Sequence, residues 1–229
     1  MHARHFFVTI ALALSALPVC AQKSDARLTI KLDAESTQAN GLDGGISFRG
    51  VTITQGDTFI KANEASSSGL DFRNSTWTFA GEVRFGARGT TASAGQAVLE
   101  FREQELVSAT LTGSPVKVSQ AAPTRVDLSS TRARLEFVNS ALSKAQFNGG
   151  PVSYRQRAAE LTTDARADSL LFDALSGVVT LQDNAWISEG SREITGNKIS
   201  YNYVSRSVVA AGDENERVTI TIAPPSDSE

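Results

Sequence analysis

The chain is nearly without histidine, cysteine and methionine. Its 229 residues include two His, one Cys and one Met, and these four (His2, His5, Cys20 and Met1) all lie among the first twenty. Beyond that point there is no imidazole for general base work, no Ser/His/Asp triad, no thiolate nucleophile, no disulfide and no ordinary zinc site. The chemistry left is that of carboxylates, lysines, hydroxyls or a calcium site. Clustered positive charge is missing too: 22 Lys plus Arg stand against 25 Asp plus Glu, for a net charge of −3, with no run of five basic residues. A nucleic-acid protein relying on phosphate neutralisation is excluded on that ground. Long apolar runs are absent apart from residues 6–17, a stretch too short to cross a hydrocarbon core of about 30 Å as a helix.

That one run has a meaning of its own. His2, Arg4 and His5 precede it, Pro18 ends it, and Val19-Cys20-Ala21 follows with small residues at the right spacing; this is the three-part pattern of a secretory signal. The expected cut lies after Ala21, leaving Gln22 first and a charge of −4 (21 basic against 25 acidic residues), since Arg4 is the only charged residue removed. Cys20 as a lipid-attachment site is disfavoured by Val19, which stands where such a signal wants Gly, Ala or Ser. The expected organisation is residues 1–21 as signal peptide, 22–223 as one continuous domain, and 224–229 as a loose tail. An exported chain without disulfides must be held by packing and sheet hydrogen bonds.

From Arg27 onward apolar and polar residues alternate, as in Leu28, Ile30, Leu32, in Val51, Ile53, in Val83, Phe85 and in Val116, Val118. A period of two argues for strands with one buried face. Turn material is read at Leu42-Asp43-Gly44-Gly45, Arg88-Gly89, Asn148-Gly149-Gly150-Pro151 and Gly212-Asp213-Glu214-Asn215, and no uninterrupted helical stripe competes with it. The fold class is all-β. Over this lies a longer period. Gly50, Gly81, Gly113, Gly149, Gly177 and Gly212 follow similar short segments and are spaced by 31, 32, 36, 28 and 35 residues. A degenerate repeat of about 32 residues points to stacked, mutually covering sheet layers.

Candidate chemistry is thin. Asp164 and Asp168 share a strand face, and paired carboxylates can hydrolyse glycosides, but nothing marks them above solvated residues; Asp213-Glu214-Asn215-Glu216 lacks the spacing of a calcium loop, and neither Gly-rich stretch has a Lys-Ser/Thr to complete a phosphate loop. No catalytic residue, metal or cofactor is assigned. What the pattern offers instead is one apolar strip, including Ile30, Leu32, Ile53, Phe79, Phe85, Phe137, Tyr154, Phe172, Leu181, Trp186 and Tyr201. It is compatible both with an ordinary core and with two incompletely closed sheets that leave the strip open to an acyl chain.

The C-terminal third carries a specific likeness. Residues 168–173, then Val178-Val179-Thr180-Leu181-Gln182-Asp183-Asn184-Ala185-Trp186-Ile187, then Ile194-Thr195-Gly196-Asn197-Lys198-Ile199-Ser200-Tyr201 and Ala210-Ala211-Gly212 resemble the C-terminal half of the LptA (OstA-like periplasmic lipopolysaccharide transport protein) family. Residues 30–35 and Phe48-Arg49-Gly50 with Val51-Thr52-Ile53-Thr54-Gln55-Gly56 resemble its start. The chain departs from the family by about one added repeat, since the Gly-x-Pro segment occurs near residues 113 and 150. The resemblance implies an open, twisted β-jellyroll that shields lipid A acyl chains and bridges the inner-membrane extraction complex to the outer-membrane translocon. It implies an LptC-like inner-membrane partner, an LptD-like outer-membrane partner and head-to-tail homo-oligomers. Lipid-binding positions are expected at Ile30, Leu32, Ile53, Tyr154, Phe172 and Leu181. Partner-edge strands are expected through Leu28, Ile30 and Leu32 and through Val218, Ile220 and Ile222. The nearest alternative is a membrane-anchored LptC-like component; from another class, a periplasmic β-solenoid carbohydrate enzyme using carboxylates alone.

Overall fold

A computed structural model describes residues 29–39, 45–70, 72–121, 124–158, 161–212 and 217–222. The expected signal peptide, Leu28, the tail, and the expected turns at residues 42–44 and 213–215 lie outside the described residues. Every element among the described residues is a strand. In chain order they are β1 (Lys31–Asp33), β2 (Ser36–Ala39), β3 (Ile46–Gln55), β4 (Thr58–Ser67), β5 (Asn74–Ala87), β6 (Thr90–Arg102), β7 (Glu105–Gln120) and β8 (Arg125–Val138). There follow β9 (Ala141–Asn148), β10 (Val152–Ala158), β11 (Leu161–Ala167), β12 (Ser169–Asp173), β13 (Val178–Glu189), β14 (Arg192–Asn202), β15 (Ser207–Ala211) and β16 (Thr219–Ile222).

The pairing reduces these sixteen to a meander of long, bent antiparallel strands. β1 and β2 both lie along β3, β9 and β10 both along β8, β11 and β12 both along β13, and β15 and β16 both along β14. Each such pair is therefore one strand broken in the middle. The unbroken strands bend at the same level: the register shifts between Ala80 and Val83 of β5, between Thr112 and Val116 of β7, and between Gln182 and Ala185 of β13. Bulges of this kind bend a strand and sharpen its twist. A row of corners thus crosses the whole sheet and folds it into two layers.

The first layer holds β1, residues 51–55, 58–61, 83–87, 90–93, 116–120 and 125–130, then β10, β11, residues 186–189, 192–195 and β16. The second holds β2, β9, β12, β15 and the remaining halves. Their apolar faces meet. Phe85 of the first layer packs edge-on against Phe137 of the second, ring centroids 5.5 Å apart, and Tyr154 against Tyr201 at 6.3 Å. The alternation read from the sequence is what builds this: Trp77, Phe79, Leu99, Leu111, Leu135, Phe147 and Leu181 are fully buried, while their chain neighbours face outward.

The period of about 32 residues has a concrete origin: it is the length of two long bent strands, four straight segments, after which the chain returns to the same corner. Gly50, Gly81, Gly113 and Gly149 all sit in that row; Gly177 instead lies in the turn between β12 and β13. One expectation changes accordingly and another holds. Asn148-Gly149-Gly150-Pro151 is not a hairpin turn but the corner between β9 and β10. Arg88-Gly89 is a two-residue hairpin, as are Glu103-Gln104 and Asn139-Ser140, all with positive φ at both positions, the mirror-image turn whose twist suits paired strands. The two Gly-x-Pro segments are likewise corners, on β7 and between β9 and β10.

Candidate functional site

The interior between the layers runs from the β1/β2 edge to the β15/β16 edge. Near the first edge it is lined by aromatic rings: Phe48 and Trp77 stack at 5.6 Å, Phe72 and Trp77 at 4.6 Å, and Phe72 meets Phe101 edge-on at 5.2 Å. Such offset and edge contacts add to the burial itself. Of the expected lipid-binding residues, Ile53, Tyr154, Phe172 and Leu181 are 0–4% exposed inside this core, and Ile30 and Leu32 are half-buried at its N-terminal end, where Leu32 lies opposite Ile53. Trp186 is a correction. Ala185 and Ile187 point inward, so Trp186 between them must face outward, where the Arg166 guanidinium covers its ring at 4.4 Å.

Toward the other end the interior contains a polar cluster that the apolar pattern does not announce. The Gln156 Oε1 accepts hydrogen bonds from the hydroxyls of Tyr154 (3.2 Å) and Tyr201 (2.8 Å), and its Nε2 donates to the Tyr203 carbonyl at 3.1 Å. Thr163 Oγ1 lies 3.4 Å from the Tyr201 hydroxyl. Gln156 and Thr163 belong to the first layer, Tyr201 to the second. The cluster therefore ties the layers together, and each buried polar atom in it has a partner, as burial demands. Burial pushes the Tyr154 and Tyr201 hydroxyls above the ordinary phenol range, so they act as neutral hydrogen-bonding groups.

Both ends are open. β1 and β2 pair only with β3, and β15 and β16 only with β14, among the described residues. β16 faces solvent along its whole length; Ile220 is 61% and Ile222 68% exposed, and Val218 just before it is half-buried. Behind this edge a cleft of about 250 Å³ opens into the interior between Ile187, Ile194, Val208 and Ile220. Its rim carries an ion cluster in which Glu189 is held by Arg206 and, at 3.8 Å, by Arg192.

The carboxylates considered for catalysis are already engaged. Asp164 pairs with Arg155 at 2.6 Å, and Asp168 accepts from the Asn184 side chain at 2.7 Å. No group of three or more His, Cys, Asp or Glu that could hold a metal ion occurs among the described residues, and no helix there is long and apolar enough to cross a membrane.

No curated protein sequence matches the chain significantly. Among solved structures it matches LptH from Pseudomonas aeruginosa, described as the LptA homologous periplasmic component of the conserved lipopolysaccharide transport device. The two share 16% identity over 86% of this chain and 96% of that one, with a TM-score of 0.30. The family model for the LptA/(LptD N-terminal domain) LPS transport protein matches residues 31–206, which run from β1 through the β14–β15 turn. Over that span the sequence motifs, the unbroken antiparallel meander and the family match coincide, and the chain belongs to the LptA/LptD N-terminal family of lipopolysaccharide transport proteins.

Proposed function

We propose that this protein is a periplasmic lipopolysaccharide carrier, not an enzyme, that takes lipid A acyl chains between its two layers and hands them along a line of joined modules. The observation that carries this reading is the largely apolar interior that extends from one edge strand to the other, crossed by the Gln156 cluster, with Ile30 and Leu32 at one mouth and Ile187, Ile194 and Ile220 at the other. Acyl chains need such a surface because each buried methylene gains about 0.8 kcal/mol over water. The middle of the interior is filled by the protein's own side chains, so entry proceeds from a mouth and parts the layers, breaking the Gln156 contacts across them. Joining follows the logic of strand addition, in which backbone hydrogen bonds supply affinity: β1/β2 of one module against β15/β16 of the next, or against an LptC-like partner at the inner membrane and an LptD-like partner at the outer. The expected signal peptide and the periplasmic placement of LptH agree with this location.

The test is photo-crosslinking in cells. A crosslinking residue at Phe172 or Tyr154, both inward, is expected to capture lipopolysaccharide, whereas one at Leu171, which points outward and is 43% exposed, is not. Equal capture at all three positions rules the interior path out.

A further inference from the structure

The outer face of the first layer holds a second concave surface, on the side of the sheet away from the acyl interior. Cross-strand pairing sets Lys117, Ser129, Ser153, Arg166 and Trp186 in one row across β7, β8, β10, β11 and β13. A parallel row beside it runs through Ser119, Asp127, Arg155 and Asp164. The two serines in the middle of the first row are short, with Lys117 on one side and the Arg166–Trp186 pair on the other. A trough of about 680 Å³ results, within the range of small-molecule sites. Four strand spacings separate its walls, about 19 Å.

We infer that this trough binds an anionic oligosaccharide. Five cationic side chains (Lys117, Arg125, Arg155, Arg157 and Arg166) line it against two carboxylates, Asp127 and Asp164, in a protein whose overall charge is negative. The carboxylates act as positioning groups. Asp127 accepts from Ser119 at 2.7 Å and holds Arg125 (3.3 Å) and Arg157, and Asp164 holds Arg155. Burial pushes the Asp127 carboxyl up, but hydrogen bonds from Ser119, Arg157 and Arg125 outweigh it, and the group stays below the ordinary carboxylate range. Each guanidinium has five donors in a planar fork, so the ion pairs orient the arginines and leave donors over for a phosphate or carboxylate. The Trp186 ring supplies an apolar wall, and the serine hydroxyls and aspartate oxygens suit a hydroxyl-rich ligand. Length, an aromatic wall and spread-out charge match an oligosaccharide better than a lone phosphate, which wants a compact cluster of donors.

Two sources share this chemistry: the phosphorylated sugar region of the cargo, which rests on the carrier reading above, and a free carboxylate-bearing glycan of the cell wall. Calorimetry and tryptophan emission on the full chain, with deacylated lipopolysaccharide saccharide, the same saccharide dephosphorylated, and a muramic-acid disaccharide peptide as probes, separate them. Trp77 is fully buried, so a change in emission that disappears in Trp186→Phe reports the trough. The expected result is that one anionic probe binds, shifts Trp186 emission, and binds at least tenfold more weakly to the Lys117→Gln/Arg166→Gln double variant. If the saccharide is the ligand, its dephosphorylated form is also at least tenfold weaker; if the disaccharide peptide binds instead, the source is the cell wall. The inference is overturned if neither anionic probe binds, or if the double variant binds like the parent. Crosslinking at Phe172 in the same double variant keeps the two readings apart, because loss of interior capture alone leaves the trough standing and loss of saccharide binding alone leaves the carrier standing.

Discussion

Tyr154, Tyr201 and Tyr203 are the only tyrosines of the chain, and all three lie at most 6% exposed at the junction of the two layers. Burial raises all three hydroxyls, with the nearby Tyr201 and Tyr203 adding to the effect on Tyr154, Asp173 adding to that on Tyr203, and Thr163 partly offsetting it on Tyr201. In the unfolded chain a phenol ionises near pH 10. The contribution of these groups to stability is therefore complete below that pH and is lost as pH rises beyond it, because only the unfolded state releases protons there. Alkaline titration should show phenolate absorbance at 295 nm appearing together with loss of the sheet signal; reversible ionisation near pH 10 with the sheet intact would contradict the buried cluster. A second residue-scale expectation concerns Phe172, fully buried and stacked on Tyr203 at 5.4 Å. Phe172→Ala should cost about 3–5 kcal/mol in urea unfolding, while the outward Leu171→Ala should cost under about 1 kcal/mol. The difference between these neighbours is a direct reading of strand parity.

At the scale of elements the corners decide the fold. Gly113 of β7 faces Gly95 of β6 so closely that a Cβ on Gly113 would come within 2.7 Å of the Gly95 backbone nitrogen, a contact that backbone atoms cannot relieve by a rotamer change. Gly149 meets the requirement differently, with a φ of +80° and Thr131 Oγ1 in the place a Cβ would take. Gly113→Ala is expected to lower stability by about 1–3 kcal/mol, the usual cost of overpacking, whereas Gly45→Ala, with open space around it, should be close to neutral. Thermal melts of the two variants check this, and equal melting temperatures would mean that the corner row tolerates side chains. The corners also explain why the glycine spacing was readable while its meaning was not. A sequence period reports how often a conformation recurs, and a corner within a strand and a turn between strands both call for glycine.

Among the described residues the molecule presents two edges; β1 carries the charged Lys31 and Asp33, while the C-terminal edge at β16 is unprotected. Thr219-Ile220-Thr221-Ile222 has neither charge nor proline, the devices by which edge strands are normally shielded from pairing, and it is exposed from end to end. Successive N–H groups of a strand point to opposite sides, so of Ile220→Pro and Thr221→Pro one removes an outward donor and the other a bond to β14. The outward variant should stay folded and lose self-association, because prolines are tolerated at edges yet block the approach of a further strand. Light scattering at rising concentration and capture of inner- and outer-membrane partner domains measure it. Two folded proline variants that still associate and still capture both partners would mean that β16 is not the joining edge.

Period-two alternation and turn chemistry were enough, from the sequence alone, to determine an all-β chain and the inward set at Ile53, Tyr154, Phe172 and Leu181, because these depend on neighbours within a few residues; the family was legible through the likeness of particular motifs, residues 178–187 and 194–201 among them. Trp186 escaped that reading, since an aromatic residue in an apolar stretch looks like core until its neighbours' parity is known. Only the tertiary structure decided that the strands bend in one row into two layers, and that Gln156 meets Tyr201 across them. It alone set Lys117, Ser153, Arg166 and Trp186 side by side on the outer face. Each of these depends on pairing register between strands far apart in the chain. Register is set by the summed burial of a whole face, a quantity that no single segment carries.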